Sequence, residues 1–479
     1  ARTSMFAALM KARRFAPLFW CQFLSALNDN LVRNALVILI LYKIGSAHGA
    51  TLVALAGTAL IAPFFILSGL AGEMADRFDK ARVAERLKFY EIAIAGIAAL
   101  GFLMQSVSLL FVALTGYGVV AALFGPIKYG VLPQHLDVKE LPAGNALVES
   151  ATFAAILLGT VIGGWAAAHS EAARILCILV IALAVLSWIA ARLIPPAPSS
   201  VPGLTINRNL AASTWSLLRE LKSDGRLWTG GLITSWFWLM GAVMVALLPP
   251  LIKDWIGGSE NVYIVALLVF TVSIALGSAL AARASRMRPN LALVPLAALL
   301  MAVFALDLAW HVSAYGKAAS VRGVSEVFGS WSGVRLIIDL AGLAIAGGLF
   351  IVPAFAAVQS WAPVERRARV IAACNVLSAG FMTAATVAAA GLQAAGFGPA
   401  GILLMLAVGN LVALILILRA WGNEGIKDVA AFLFKVFFGL EVKGLENLPK
   451  PGEKAIIAPN HVSLLDAPLM HALLPSHSA

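Results

Sequence analysis

The sequence predicts an all-α membrane protein: twelve transmembrane helices in two pseudo-symmetric six-helix bundles, followed by the first elements of an α/β domain. Three observations predict it. Of 479 residues, 61% are hydrophobic and 12% charged, against roughly a quarter charged in soluble domains, so most apolar surface has to face lipid. Apolar stretches of about 20 residues recur, each enough for a hydrocarbon core of roughly 30 Å at 1.5 Å per residue. Beyond residue 420 the composition turns mixed and carries turn and strand signals instead.

Spans are expected near 15–42, 51–71, 84–104, 107–127, 144–168 and 172–193, then near 227–252, 261–282, 290–310, 334–361, 369–392 and 400–420. The proline-rich run Pro195 to Gly203 and a short amphipathic segment, Leu210 to Leu221, divide them six and six. That layout suits two parallel repeats about an axis along the membrane normal. The domains are therefore 1–194, a linker at 195–226, 227–420, an amphipathic interfacial helix at 421–440, and 441–479. A polar interruption from His311 to Gly333 reads as an extracytoplasmic loop or small hairpin.

Loop lysines and arginines set the orientation. One side gathers 21, among them Arg13, Arg14, Arg77, Lys80, Arg82, Arg192, Arg219 and Arg369; the other has 5, which are Lys43, Arg174, Lys253, Lys317 and Arg322. The positive-inside rule then places both termini in the cytoplasm. The net charge of +11 is scattered over short loops, which fits anionic lipid headgroups and argues against nucleic acid. Cys21, Cys177 and Cys374 all fall within apolar spans, so neither a disulfide framework nor a metal site is expected. No cleavable signal is evident at the start.

Inside the first span stands Asp29, with Asn28, Asn30 and Arg33 around it. A carboxylate at that depth is tolerated when it faces a cavity or a partner, and Arg33 lies one helical turn along the same face. The group suits a zwitterionic headgroup, whose phosphate takes a cation and whose amine takes a carboxylate. The alternative is an Asp29–Arg33 pair that only holds the bundle together. Lys128 and Glu149, near the cytoplasmic ends of spans four and five, read as a gating or structural salt bridge. Arg335 and Asp339, four apart on span ten, read as a pair on one face. Span seven is uncharged from Leu227 to Ile252; its Trp236 and Trp238 line an acyl-chain path or anchor the interface. Gly159, Gly163 and Gly164 read as close helix packing.

The segment Gly72-Glu-Met-Ala-Asp76-Arg77-Phe-Asp-Lys80-Ala-Arg82 resembles the loop between helices 2 and 3 of the major facilitator superfamily. Asp79 stands where that pattern has a glycine, and the equivalent loop in the second half has Ala281 in place of the aspartate. The resemblance implies a gate, with Gly72 allowing close helix approach and Asp76 pairing with a helix start or Arg369 in one conformation. Four strings, Phe23 to Leu36, Gly125 to Gln134, Asn145 to Gly164 and Gly347 to Gln359, resemble the bacterial lysophospholipid transporter family within that superfamily. Members of that family carry a basic residue in span seven, which this chain lacks.

After residue 440, a probable strand at Ala455 to Ala458 leads into Asn460-His461-Val-Ser-Leu-Leu-Asp466. This resembles the first motif of glycerolipid acyltransferases. His461 would take the proton of an acceptor hydroxyl as it attacks a thioester, and Asp466 would hold the imidazole tautomer. The later motifs are absent, so this is the front edge of such a domain.

The expected function is a lysophospholipid flippase or facilitator of the bacterial inner membrane, delivering lysolipid from the outer to the inner leaflet for reacylation. No cofactor is expected for transport. The resemblance implies an acyl thioester donor for the acyltransferase, from acyl carrier protein or CoA, with lysophospholipid, membrane lipids and acyl carrier protein as partners. The alternative is a major-facilitator exporter of drugs or metabolites with ion coupling through Asp29.

Overall fold

A computed structural model describes residues 2–45, 47–137, 140–284, 289–315, 317–363, 367–444, 447, 456, 458–460 and 463–474. A short helix, α1 (Arg2–Lys11), precedes six long ones: α2 (Ala16–Ile38), α3 (Gly49–Arg77), α4 (Lys80–Leu103), α5 (Val107–His135), α6 (Leu141–Ala168) and α7 (Ala172–Arg192). After α8 (Leu210–Lys222) come α9 (Gly225–Pro250), α10 (Glu260–Ala284), α11 (Leu293–Tyr315), the single turn α12 (Val324–Phe328), α13 (Trp331–Trp361), α14 (Arg367–Ala394) and α15 (Pro399–Phe438). A last helix, α16 (Asp466–Leu473), packs on α15.

Among the described residues, ten of the long helices are long and apolar enough to cross a membrane. Two fall outside that set, against the expectation of twelve. The first half of α4 carries Lys80, Arg82, Glu85, Arg86, Lys88 and Glu91, and in α6 the side chains of residues 149, 150 and 153 lie outside the described residues.

The two halves repeat one pairing scheme. In the first half α2 packs on α6 and α7, α3 on α5, and α4 on α5 and α7. In the second, α9 packs on α14 and α15, α10 on α13, and α11 on α13 and α15. Each half thus joins its first helix to its fifth and sixth, its second to its fourth, and its third to its fourth and sixth. Glycines permit the matching close crossings: a Cβ on Gly118 of α5 would stand 2.5 Å from the Leu60 carbonyl of α3, and one on Gly348 of α13 would stand 2.5 Å from the Ile274 carbonyl of α10. The first helix of each half also ends alike. Both α2 and α9 close in one π-helical turn, Leu39–Ile44 and Leu251–Ile256, stopped by a left-handed glycine, Gly45 (φ 65°) and Gly257 (φ 74°).

Connections alternate between two faces. The face with the α3–α4, α5–α6 and α7–α8 connections carries Arg77, Arg82, Arg192 and Arg219 and is called the basic face below. Near the opposite face the halves share one apolar core, with Leu36, Ile40 and Val53 joined to Leu247, Leu251 and Tyr263. Near the basic face the cores separate: Phe15, Leu87, Phe124 and Val131 form one, while Leu227, Val358 and Cys374 form another.

One expectation changes. The segment 421–440 is no separate interfacial helix, because α15 runs on unbroken to Phe438. Asp428 accepts the Leu291 backbone N–H (2.6 Å) at the start of α11, which holds the extension in line. Of the loop or hairpin expected at the His311 to Gly333 interruption, the described residues form a loop with one short helix. There α11 continues to Tyr315, Arg322 N donates to the Gly257 carbonyl (2.6 Å), and α12 follows.

Candidate functional site

The middle of α2 distributes its polar residues over three directions. Asn28 turns into the core of the first half, donating to Tyr117 Oη (3.3 Å) of α5 and the Val180 carbonyl (3.0 Å) of α7. Asn30 bonds back to the Ala26 carbonyl (2.8 Å), its Cβ against Gly159 of α6. The amide nitrogens of Asn28 and Asn30 are thus engaged within the protein in this conformation, while Asn28 Oδ1 has no partner among the described residues. Asp29 and Arg33 share the remaining face. Both are partly accessible, and among the described residues neither makes a hydrogen bond or ion pair. The internal Asp29–Arg33 pair weighed from sequence is not formed.

Beside them lies a cluster that the sequence reading passed over. Lys88 of α4 donates to Glu91 Oε2 (2.8 Å) and to Ser25 Oγ (2.6 Å) of α2, and Ser25 donates to both Glu91 oxygens (3.0 and 3.1 Å). The Lys88 ammonium also sits 4.4 Å from the Phe124 ring centroid. Lys88 is 0% exposed and Glu91 1%. Desolvating two charges costs several kcal/mol each, offset only when geometry and extra hydrogen bonds are good, which Ser25 and Phe124 supply. Asp29 lies within electrostatic reach of Glu91, Lys88 and Arg33. Two cations and two anions thus occupy one slab of the first half, one pair closed on itself and one uncommitted. The legible signal was a Lys and a Glu three apart inside an otherwise apolar stretch.

The counterpart region of the second half is apolar. A crevice among α9, α10, α11 and α13 is lined by Phe237, Met240, Met244, Phe270, Met301 and Leu343. Trp236 is not brought to the α2 group; its indole N–H donates to Asn410 Oδ1 (2.9 Å) between α9 and α15. Arg335 does not pair along its own helix with Asp339. It forks instead onto Asp307 of α11, Nε to Oδ2 at 3.1 Å and Nη2 to Oδ1 at 2.5 Å.

The proposed gate residues of the basic face are placed as follows. Asp76 and Arg77 end α3 exposed, and a Cβ on Gly72 would meet nothing within 4 Å. The close approach is at Gly69, where a Cβ would stand 2.6 Å from Ser213 Cβ of α8. Asp79, the departure from the family pattern, caps α4 by accepting from Ala81 N (2.9 Å) and Arg82 N (3.2 Å). Lys80 donates to the linker, to the Pro198 carbonyl (3.3 Å) and Ser200 Oγ (3.1 Å), while Arg82 is exposed. Arg369 pairs with Glu220 of α8 (3.5 Å), not with Asp76. Lys128 lies 4.9 Å from the Tyr129 ring centroid; the side chain of Glu149 lies outside the described residues. Helix α8 thereby spans the two halves, with Ser213 also donating to Glu73 of α3 (2.9 Å).

Across the opposite face the halves are tied directly. Tyr263 of α10 donates to Asn34 Oδ1 of α2 (3.1 Å), Tyr42 to the Gly258 carbonyl (3.0 Å), and the Thr58 and Thr386 hydroxyls of α3 and α14 meet at 2.7 Å.

Of the acyltransferase pair, His461 lies outside the described residues, as do 455 and 457 of the expected strand; Ile456 and Ala458 have no regular structure. Asp466 begins α16 and accepts from Ser463 N (2.7 Å). Among the described residues no group of three or more His, Cys, Asp or Glu could hold a metal ion.

Two six-helix halves with one internal pairing scheme, enclosing uncommitted charges at mid-depth, define a polytopic membrane transporter. The chain belongs to the Major Facilitator Superfamily, whose pattern matches residues 18–324. Among curated proteins it is similar to the lysophospholipid transporter LplT of Serratia proteamaculans (strain 568), 31% identical over 275 residues, 57% of this chain and 66% of the relative. It is also similar to LplT of Enterobacter sp. (strain 638), 32% identical over 269 residues, 54% of this chain and 63% of the relative. The chain thus spans a little under two thirds of the length of these relatives. Among solved structures it shares the fold of the human organic anion transporter MFSD10 (TETRAN), with a TM-score of 0.62, 16% identity and coverage of 85% of this chain and 99% of that one. An auto-inhibited POT family peptide transporter gives a TM-score of 0.63 at 14% identity, covering 85% of this chain and 96% of that one.

Proposed function

We propose that this protein moves lysophospholipid across a bacterial inner membrane, taking the headgroup between Asp29 and Arg33. The observation that carries this reading is the pair itself, a carboxylate and a guanidinium one turn apart, partly accessible and without partners among the described residues. Leaving charges uncommitted at that depth is costly unless a ligand completes them. A zwitterionic headgroup supplies both complements: its phosphate suits the planar guanidinium, and its amine suits the carboxylate. The similarity to two proteins named lysophospholipid transporter supports the same class.

In this reading all twelve long helices cross the bilayer, α4 being tolerated because Lys88 and Glu91 are mutually satisfied within the bundle. The basic face is cytoplasmic, and the conformation faces inward, with the periplasmic side closed by the Asn34–Tyr263 and Thr58–Thr386 bonds. Rocking of the halves then alternates access, moving lysolipid from the outer to the inner leaflet. The segment from residue 441 begins an acyltransferase, with His461 as general base and Asp466 as its orienting carboxylate, fed by an acyl thioester. Tethering raises the local concentration of delivered lysolipid at that site.

Uptake of labelled lysophosphatidylethanolamine by proteoliposomes tests this. Asp29→Ala is expected to cut uptake by about 10–100-fold, the worth of one charge-assisted partner. Undiminished uptake by that variant, or uptake of a dye or drug that lysolipid does not compete with, would favour the exporter reading. His461→Ala should leave uptake intact and stop acylation.

A further inference from the structure

The outer flank of the first half carries a groove with no part in the headgroup reading. It lies between α4 and α7 beside the basic face, holds about 460 Å³ and is lined by Arg82, Glu85, Arg86, Phe89, Tyr90 and Trp188. On α4 these side chains recur at three- and four-residue steps and so share one face, while Lys88 and Glu91 lie on the other. The two helices run antiparallel in a register set by three contacts. Arg192 Nε lies 3.5 Å from Glu85 Oε1, the Trp188 and Phe89 ring centroids are 5.9 Å apart, and Cys177 Sγ donates to the Ala99 carbonyl at 3.1 Å.

Charge in this groove is unbalanced: the guanidinium groups of Arg82, Arg86 and Arg192 meet a single carboxylate, Glu85. Arg192 pairs with Glu85 and also lies 5.1 Å from the Trp188 ring centroid. Arg82 and Arg86 are exposed, and among the described residues their side chains make no hydrogen bond or ion pair. One turn deeper along α4 stand Phe89 and Tyr90, both more than half exposed. Deeper still the surface becomes small and apolar. Ala93 and Gly96 are exposed, a Cβ on Gly96 would meet nothing within 4 Å, and Ile178 and Ile181 of α7 are exposed at that depth. Cations, aromatic rings and an open apolar lane thus follow one another along the helices, in the order of phosphate, ester region and acyl chain in a phospholipid.

We propose that this groove binds an anionic diacyl phospholipid of the leaflet at the basic face. Arg82 and Arg86 hold the phosphate, which their planar guanidinium groups suit. The rings of Tyr90 and Trp188 sit at the level where an amphipathic aromatic meets both water and hydrocarbon, and an acyl chain lies over Ala93 and Gly96. The excess of cations over Glu85 selects an anionic lipid, because a zwitterionic one brings an amine of its own and leaves that excess standing. The rings and the apolar lane select a lipid over a soluble anion, which would leave both uncovered. Only the membrane placement of α4 and α7, with the basic face at the surface, is taken from the proposed function; Asp29 and Arg33 take no part.

Native mass spectrometry of the full chain in detergent, titrated with phosphatidylglycerol or phosphatidylethanolamine, tests the site. Phosphatidylglycerol should bind more tightly, and Arg82→Gln with Arg86→Gln should weaken it by about 10- to 30-fold. Arg208→Gln with Arg219→Gln removes the same charge from the same face outside the groove and should leave binding nearly unchanged. Glu85→Gln frees Arg192 and should tighten phosphatidylglycerol. Equal loss in the two double variants, equal binding of the two lipids, or displacement of phosphatidylglycerol by inorganic phosphate overturns the site. Should the Arg82 and Arg86 variant fail to fold, Glu85→Gln and Gly96→Trp decide; the second fills the acyl lane and should weaken phosphatidylglycerol. Unchanged binding in either overturns the site equally. No lysolipid is added, so failure here is distinguishable from failure of the headgroup reading.

Discussion

The two halves share a pairing scheme but treat charge differently. The first buries a complete ion pair at its centre, Lys88–Glu91, sealed by Ser25 and Phe124, and leaves Asp29 and Arg33 uncommitted beside it. The second keeps its middle apolar, with Phe237, Met240 and Met244 around a crevice, and confines its ion pair, Arg335–Asp307, to a partly exposed position toward one end. One helical scaffold therefore carries a polar lobe and an oily lobe. The comparison also teaches that the repeat governs backbone crossings, as at Gly118 and Gly348, and leaves side chains free to diverge.

The sharpest way to break the comparison is to remove one buried charge. Glu91→Ala strands Lys88 and should destabilise the protein by about 3–5 kcal/mol, whereas a Lys88→Met, Glu91→Leu double variant should recover most of it. The equivalent change in the oily lobe, Asp307→Asn, leaves a partly exposed Arg335 and should cost about 1 kcal/mol or less. Thermal unfolding in detergent reads both, and equal losses would erase the distinction between the lobes. Next in size is the tie across the opposite face. Tyr263→Phe removes the bond to Asn34, worth about 1 kcal/mol, and should shift the balance of open and closed states roughly fivefold. Distances between spin labels placed on α2 and α10 at that face would show it; an unmoved distribution would mean that the bond carries no conformational preference.

The smallest expected effect is at the surface. Arg14 forks onto Glu140 (2.6 and 2.7 Å), tying the start of α2 to the start of α6. The hydrogen bonds from Arg14, with one from Asp137 N, hold the Glu140 carboxyl below its ordinary range. Because the folded value is depressed, this stabilisation is present above the ordinary carboxyl pKa and is lost as pH falls through the lowered value. Glu140→Gln should therefore lower the melting temperature slightly at neutral pH and make no difference in strong acid. A drop that persists unchanged in acid would show that the ion pair is not its source.

Hydropathy and loop charge made the helices and the six-plus-six division legible, because membrane insertion depends on length and composition that a sequence displays directly. Side-chain direction was less legible. Asn28, Asp29 and Asn30 are consecutive, yet a 100° step per residue sends the first to Tyr117, leaves the second accessible and turns the third toward Gly159. Arg335 finds Asp307, 28 positions away, in preference to Asp339, four away, because the partner helix crosses within reach. Lys88 and Glu91 were visible as charges in an apolar stretch, but reading them as one closed unit needed Ser25 and Phe124 from other helices. The apolar spacing of residues 429–440 fits a separate surface helix and an extension of the preceding helix equally well; the unbroken run of α15 to Phe438, steadied by the Asp428 bond to Leu291, is the latter.

Binding of lysolipids with different headgroups in nanodiscs tests the central assignment most directly. Arg33→Ala should weaken every phosphate-bearing lysolipid, whereas Asp29→Ala should weaken only those that also carry an amine. If both variants bind the zwitterionic and the anionic lysolipid as the unsubstituted protein does, the headgroup does not sit between these two side chains.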